Sequence, residues 1–193
     1  MIIDCHVHLN HYADENVDAL AASLAKLRTT MRRNRVDTAL ILTSYKVSPG
    51  RPSTRQVVDA VSDSPNLFVV AGVPYETFGD ETVAELDSML AAGSLKGLKL
   101  YPGYEPFYPA DAKLERVYEL AARYDVPVMI HCGDTYSPRG KVKFAHPLHV
   151  DEVAVDHPDV KFVICHLGNP WLTDCMEVVY KNPNVYADIS GLV

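Results

Sequence analysis

The chain has 193 residues, 48% hydrophobic and 22% charged, a globular balance that excludes a fibrous or wholly disordered protein. Lysine plus arginine number 18 against 25 acidic residues, for a net charge of −7. That acidic balance gives no support to general nucleic-acid or anionic-membrane binding, so neither is expected as a partner.

Taken in chain order, short apolar runs alternate with helical patterns. Met1–Cys5 is the first predicted strand, and its surroundings lack the basic and apolar regions of a signal peptide. Val17, Leu20, Leu24, Leu27 and Met31 follow at helical spacing. Strands are then predicted at Thr38–Thr43 and Leu67–Val73. Val83, Leu86 and Leu90 mark a helix after a cap at Asp80, and Gly97–Tyr101 is the fourth strand. Leu114, Val117, Tyr118 and Ala121 mark a helix after a cap at Asp111. Strands five to seven are Pro127–His131, Lys161–His166 and Asn184–Ile189.

Near-continuous apolar strands alternating with helices predict a parallel sheet covered by helices. The strands recur about every 30 residues, the size of a βα unit. No linker or low-complexity tract interrupts them, so residues 1–193 are expected to form one domain. No apolar run is long enough to span a bilayer. Cys5, Cys132, Cys165 and Cys175 lie far apart and read as reduced thiols of a cytoplasmic protein. Cys132 and Cys165 are expected to face the helices as core residues.

Both an open doubly wound sheet and a (β/α) barrel fit this pattern, and the histidines separate them. Of eight histidines, His6 and His8 follow strand one, while His131 and His166 end strands five and six. Active sites of parallel α/β folds form at that C-terminal edge. His6 and His8 share one strand face. Four imidazoles from strands one, five and six converge automatically only on the rim of a closed barrel. Such a set suits a divalent metal, with zinc the expected ion, that activates water and polarises a substrate oxygen. Asp4 lies on the face of His6 and is placed to orient a ligand imidazole. His11, His146, His149 and His157 are read as surface residues.

The pattern resembles the amidohydrolase superfamily, in its amidohydrolase-related branch of metal-dependent hydrolases and decarboxylases. The resemblance rests on five segments: Ile3 to Leu9, Gly97 to Pro102, Val128 to Tyr136, Cys165 to Gly168 and Tyr186 to Gly191. It implies an α/β fold of the (β/α)8 TIM-barrel type with the metal at its C-terminal rim. It further implies His6, His8 and His131 as metal ligands. His166 is then a ligand of a second metal or a catalytic residue acting on substrate or water. Lys99 occupies the strand where binuclear members carry a carbamylated lysine. Its alternative is an unmodified lysine pairing with a carboxylate or a substrate anion. A phosphoesterase of the PHP type also begins HxH, but the further histidines and acids that it needs are not found here.

One feature departs from the family. Its eighth strand ends in an aspartate that binds metal and serves as general base. This chain shows only about seven βα units, short of the roughly 250 residues of a typical barrel. Asp188 falls in the segment resembling strand seven and reads as structural or supporting. The expectation is therefore a hydrolase of a small, anionic organic substrate, with a decarboxylase or a catalytically impaired domain that binds metal or oligomerises as alternatives. An uncovered barrel edge also predicts a homo-oligomer. Candidate substrate contacts are Tyr101, Arg139, Asn169 and Trp171. Arg139, with Lys141 and Lys143, lies in a loop devoid of acids, and Trp171 follows His166.

Overall fold

The computed structural model describes residues 1–11 and 19–192. Seven parallel strands form one sheet in the order β1-β2-β3-β4-β5-β6-β7. They are β1 (Ile3–Val7), β2 (Thr38–Leu42), β3 (Leu67–Gly72), β4 (Leu95–Leu100), β5 (Val128–Ile130), β6 (Phe162–Ile164) and β7 (Val185–Ala187). Helices α1 (Leu20–Asn34), α2 (Thr54–Val61), α3 (Asp80–Ala91), α4 (Glu115–Tyr124), α5 (Leu148–Asp156) and α6 (Leu172–Lys181) occupy the crossovers. Each strand pairs with its sequence neighbour, and β1 and β7 are the two edges. The architecture is a TIM-type barrel left open between those edges. Among the described residues, no helix is long and apolar enough to cross a membrane. Val17, assigned to the first helix from its spacing, lies outside the described residues.

Strand alternation sorts the apolar residues into two layers. The larger layer lies between sheet and helices and includes Ile41, Val69, Leu98, Ile130, Phe162 and Cys132. The smaller one fills the barrel and is built from Leu42, Val70, Met129 and Cys165, with Leu40 and Val163 against it. Cys165 thus corrects the sequence reading: with Phe162 and Ile164 on the helix side, the alternation of β6 carries Val163 and Cys165 into the barrel, and the chain turns only at His166 and Leu167.

Two cap assignments come out differently. Asp111 does cap, its side chain accepting from the Lys113 N–H at 3.0 Å at the head of a 3-10 turn that leads into α4. Asp80 is the first residue of α3, after an N-cap at Gly79, and makes no capping bond. Its carboxylate binds Arg116 of α4 at 2.5 Å instead. The capping box of α2, Ser53 with Gln56, went unread in the sequence although both bonds form, at 3.2 and 2.9 Å.

The open side leaves apolar surface uncovered. Ile2, Ile3, Tyr186 and Ile189, on or beside the two edge strands, are 52%, 49%, 52% and 75% exposed.

Candidate metal and active site

The four histidines at strand ends meet at the C-terminal rim. The His6 ring lies 5.0 Å from His8 and 4.9 Å from His166, and His166 lies 5.1 Å from His131, centroid to centroid. His6 and His8 sit at and just beyond the end of β1, where the register with β2 shifts between Asp4 and Val7.

Each ring has one nitrogen committed to a group that only accepts. His8 Nδ1 donates to the Leu42 carbonyl at 2.9 Å, and His131 Nε2 donates to the Asp134 carbonyl at 2.9 Å. His166 Nδ1 faces the Ser190 carbonyl at 2.9 Å. His6 Nδ1 meets Asp188 Oδ2 at 2.8 Å, with both side chains 3% exposed. A donating nitrogen leaves the other nitrogen of a neutral imidazole with a lone pair. The lone pairs are therefore on Nε2 of His6, His8 and His166 and on Nδ1 of His131.

Burial favours the neutral rings. It pushes His8 down to about 3 and His166 to about 4, and it lowers His6 and His131 as well, with the Lys99 charge acting in the same direction. His6 Nε2 and His8 Nε2 stand only 3.1 Å apart. Two acceptors so close repel unless a proton or a cation lies between them. The donor set therefore fits a divalent ion: neutral imidazoles, oriented from behind by carbonyls and a carboxylate.

Asp188 organises this rim. Burial acts to raise its pKa, but the His6 hydrogen bond and charge, the His166 N–H and Ser190 outweigh it, and the carboxylate is held well below its ordinary range. Its Oδ1 accepts from the His166 N–H at 2.9 Å and from Ser190 Oγ at 2.5 Å. The Asp188 carbonyl accepts from the Leu167 N–H at 2.9 Å. These bonds hold His166 and Leu167 at φ of 60° and 47°, left-handed conformations that cost about 1–2 kcal/mol per residue. Asp4, read as an orienting residue for its imidazole neighbour, accepts the His6 backbone N–H at 3.2 Å and, among the described residues, makes no bond to the ring. The orienting part on the His6 ring falls to Asp188.

Lys99 is 1% exposed and projects from β4 into the barrel. Its Nζ lies 2.6 Å from Cys165 Sγ and 5.4 Å from the Tyr101 ring centroid. It meets a thiol where a carboxylate or substrate anion was the expected partner of an unmodified lysine. His6, Cys165 and Asp188 also bring ligand-type atoms within 4.8 Å of one another.

The substrate candidates are placed unequally. Tyr101 is buried, and its hydroxyl donates to the Thr43 carbonyl at 2.5 Å. With Tyr45 and Tyr104 it forms an aromatic wall, and Tyr104 reaches the His131 ring at 4.8 Å. Tyr45, in the β2–α2 connection, carries no sequence signal for this position. Asn169 is exposed and acts through its backbone, its carbonyl accepting from the Asp134 N–H at 2.9 Å. Trp171 packs on His146 at 4.6 Å, and this pairing lies outside the chain of four histidine rings. Arg139 is exposed on the β5–α5 loop. His157 is half-buried against Tyr118 at 4.6 Å, and His11 bonds Ser23 Oγ at 3.1 Å, so neither is the surface residue expected. A cavity of about 460 Å³ opens between the end of β1 and α1, lined by Asp4, His6, His8, His11, Ser23 and Lys26.

A family model described as amidohydrolase (Amidohydro_2) matches residues 3–193. Among solved structures, the chain is similar to an uncharacterized TIM-barrel protein from Bordetella bronchiseptica. That match has 20% identity and a TM-score of 0.76, covering 97% of this chain and 74% of the other. A probable 2-pyrone-4,6-dicarboxylic acid hydrolase from Acinetobacter baumannii, with citric acid bound, matches at 15% identity and a TM-score of 0.64, covering 98% and 70%. A 5-carboxyvanillate decarboxylase from Novosphingobium aromaticivorans, with bound manganese, matches at 12% identity and a TM-score of 0.66, covering 94% and 70%. At these identities the likeness is one of fold. No protein with curated function matches the chain.

Proposed function

Since the chain belongs to the amidohydrolase family, we propose that it is a metal-dependent hydrolase of a small, anionic organic substrate. The observation that carries this reading is the set of four neutral imidazoles, each with one nitrogen fixed and a lone pair left on the other. His6, His8 and His131 are the proposed metal ligands, with His166 a further ligand or a catalytic residue. A bound divalent ion, with zinc as the proposed identity, supplies Lewis acidity and a water of lowered pKa.

The remaining work falls to this chain's own side chains. Neutral His166 has Nε2 free to accept a proton from water or substrate. Lys99 places positive charge under the rim, where negative charge on a substrate is stabilised. The Tyr45, Tyr101 and Tyr104 wall shields one side of His131 from water and offers ring faces to an unsaturated substrate. Asn169, Trp171 and Arg139 are proposed as contacts at the outer loops, and Arg139 requires its loop to move inward.

A decarboxylase on the same scaffold is the second reading. It is favoured by the engagement of Asp188 with His6, His166 and Ser190, which leaves that carboxylate poorly placed as a base for water. The fold is shared with proteins named for each activity. The test loads the protein with zinc or manganese and offers a panel of small cyclic esters, amides and aromatic carboxylates. Release of an alcohol, amine or ring-opened acid supports hydrolysis, and release of carbon dioxide supports the alternative. Stoichiometric metal without turnover on any member supports the impaired, metal-binding domain and overturns both.

A further inference from the structure

The interior of the barrel holds a contact, between Lys99 and Cys165, that the proposed metal chemistry does not use. Lys99 Nζ and Cys165 Sγ lie 2.6 Å apart, at relative exposures of 1% and 0%. An ordinary N–H···O bond measures about 2.9 Å, and sulfur is a larger acceptor than oxygen. The contact is therefore closer than a hydrogen bond between these atoms requires, and it is too long for a direct N–S bond. It is a separation that one bridging atom spans.

The surroundings aim the two groups at each other. Leu42, Val70 and Met129 pack about Cys165 and leave the thiol little other space. Cys165 Sγ also lies within 4.8 Å of an Asp188 carboxylate oxygen. The same carboxylate is anchored by His6 and Ser190, so the geometry is fixed from behind. Lys99 and Cys165 come from β4 and the end of β6, which are separated by β5 and cannot approach through the backbone. Any bond between them is thus a cross-link of two side chains over the barrel floor.

We infer that Lys99 and Cys165 form an oxidative cross-link in which a single oxygen atom bridges Nζ and Sγ, with dioxygen as the oxidant. From the neutral amine and thiol, one N–H and the S–H bond break, and an N–O and an O–S bond form. Nitrogen and sulfur each give up two electrons to dioxygen. One oxygen atom becomes the bridge and the other leaves as water with the two hydrogens; an ammonium start releases one proton more. Dithiol reduction returns the amine and the thiol and converts the bridge to water. Oxidation of a thiol to the sulfenic level is reversible, and trapping by a neighbouring nitrogen protects it from irreversible oxidation. The cross-link removes the Lys99 charge from beneath the four histidines and ties down the nitrogen that any modification of this lysine requires.

The test is mass spectrometry of the full chain after exposure to air, digested without reductant. The expected result is a linked pair of peptides containing Lys99 and Cys165. Its mass is the sum of the two plus one oxygen and less two hydrogens. It is reverted by dithiothreitol and absent from Cys165→Ser and from Lys99→Arg. Three results overturn the inference: full alkylation of Cys165 in the air-exposed, denatured protein; oxygen added to Cys165 alone; or a linked pair lacking the added oxygen. The readout needs neither metal nor turnover, so its failure leaves the proposed activity untouched, and the reverse holds as well.

Discussion

His6 and Asp188 stand 182 residues apart in the chain, yet Nδ1 of one meets Oδ2 of the other at 2.8 Å. His6 is the penultimate residue of β1 and Asp188 lies one residue past β7, the two strands that form the unpaired edges. The rim of the barrel is thus closed by side chains where the sheet below it is open. The same bond fixes the tautomer of a proposed metal ligand. Fold closure and metal-site preparation rest on one carboxylate.

Asp188→Asn tests that joint role. An amide in place of the carboxylate weakens the hydrogen bond from His6 Nδ1 and frees the ring to turn. Loss of an orienting partner behind a metal-bound histidine lowers affinity about 10–100-fold. Titration calorimetry with zinc or manganese is expected to show that drop, with stoichiometry retained. Unchanged affinity would remove Asp188 from the metal site.

The histidines divide into two groups by their predicted effect. His6→Ala, His8→Ala and His131→Ala should each abolish stoichiometric metal at micromolar ion concentrations. His11→Ala, His149→Ala and His157→Ala should leave it at the wild-type value. Elemental analysis after dialysis decides, and metal loss in the second group would point to a site elsewhere.

Acid should weaken both the fold and metal binding. His8 and His166 have folded values of about 3 and about 4, below the 6.5 of an unperturbed ring. The unfolded chain therefore binds more protons than the folded one between those limits. The contribution of these rings is fully present above about pH 6.5 and is lost as pH falls toward 4 and then 3. Asp188, also depressed, acts in the same sense at the acid end, its contribution fading below the ordinary carboxylate range. Denaturant midpoints measured from pH 7 to pH 4 should fall steadily. His166→Gln should flatten the slope, and an unchanged slope would place its titration elsewhere.

Gly133 supports the site through its backbone. Its φ is +94°, and an added Cβ would lie 2.2 Å from the Asn169 carbonyl oxygen. Gly133→Ala forces apart the loops that follow His131 and His166. A strained backbone of this kind costs about 1–3 kcal/mol, readable as a lowered melting temperature. Metal affinity should fall with it, because His131 is two residues away. Gly79→Ala, where an added Cβ meets nothing within 4 Å, serves as the control that keeps metal affinity.

Much of this molecule is local in origin and could be read from the chain. Strand and helix periods gave the parallel order. The HxH pair at β1 and the single histidines after β5 and β6 marked the rim, because strand ends in such folds project to one side. What the chain by itself could not determine were the partners of those histidines. Asp188 and Ser190 reach His6 from the far edge of the sheet, which only closure of the rim allows, and the Leu42 carbonyl reaches His8 from the neighbouring strand. Cys165 was misplaced for a related reason. The side of the thiol follows the alternation of Val163 and Ile164, but it was read from His166, where φ turns left-handed and the alternation breaks. Sequence determined which residues line the top of the barrel. Tertiary structure decided which nitrogen of each ring is free and that Lys99 meets a thiol, since both depend on contacts between strands that no local pattern encodes.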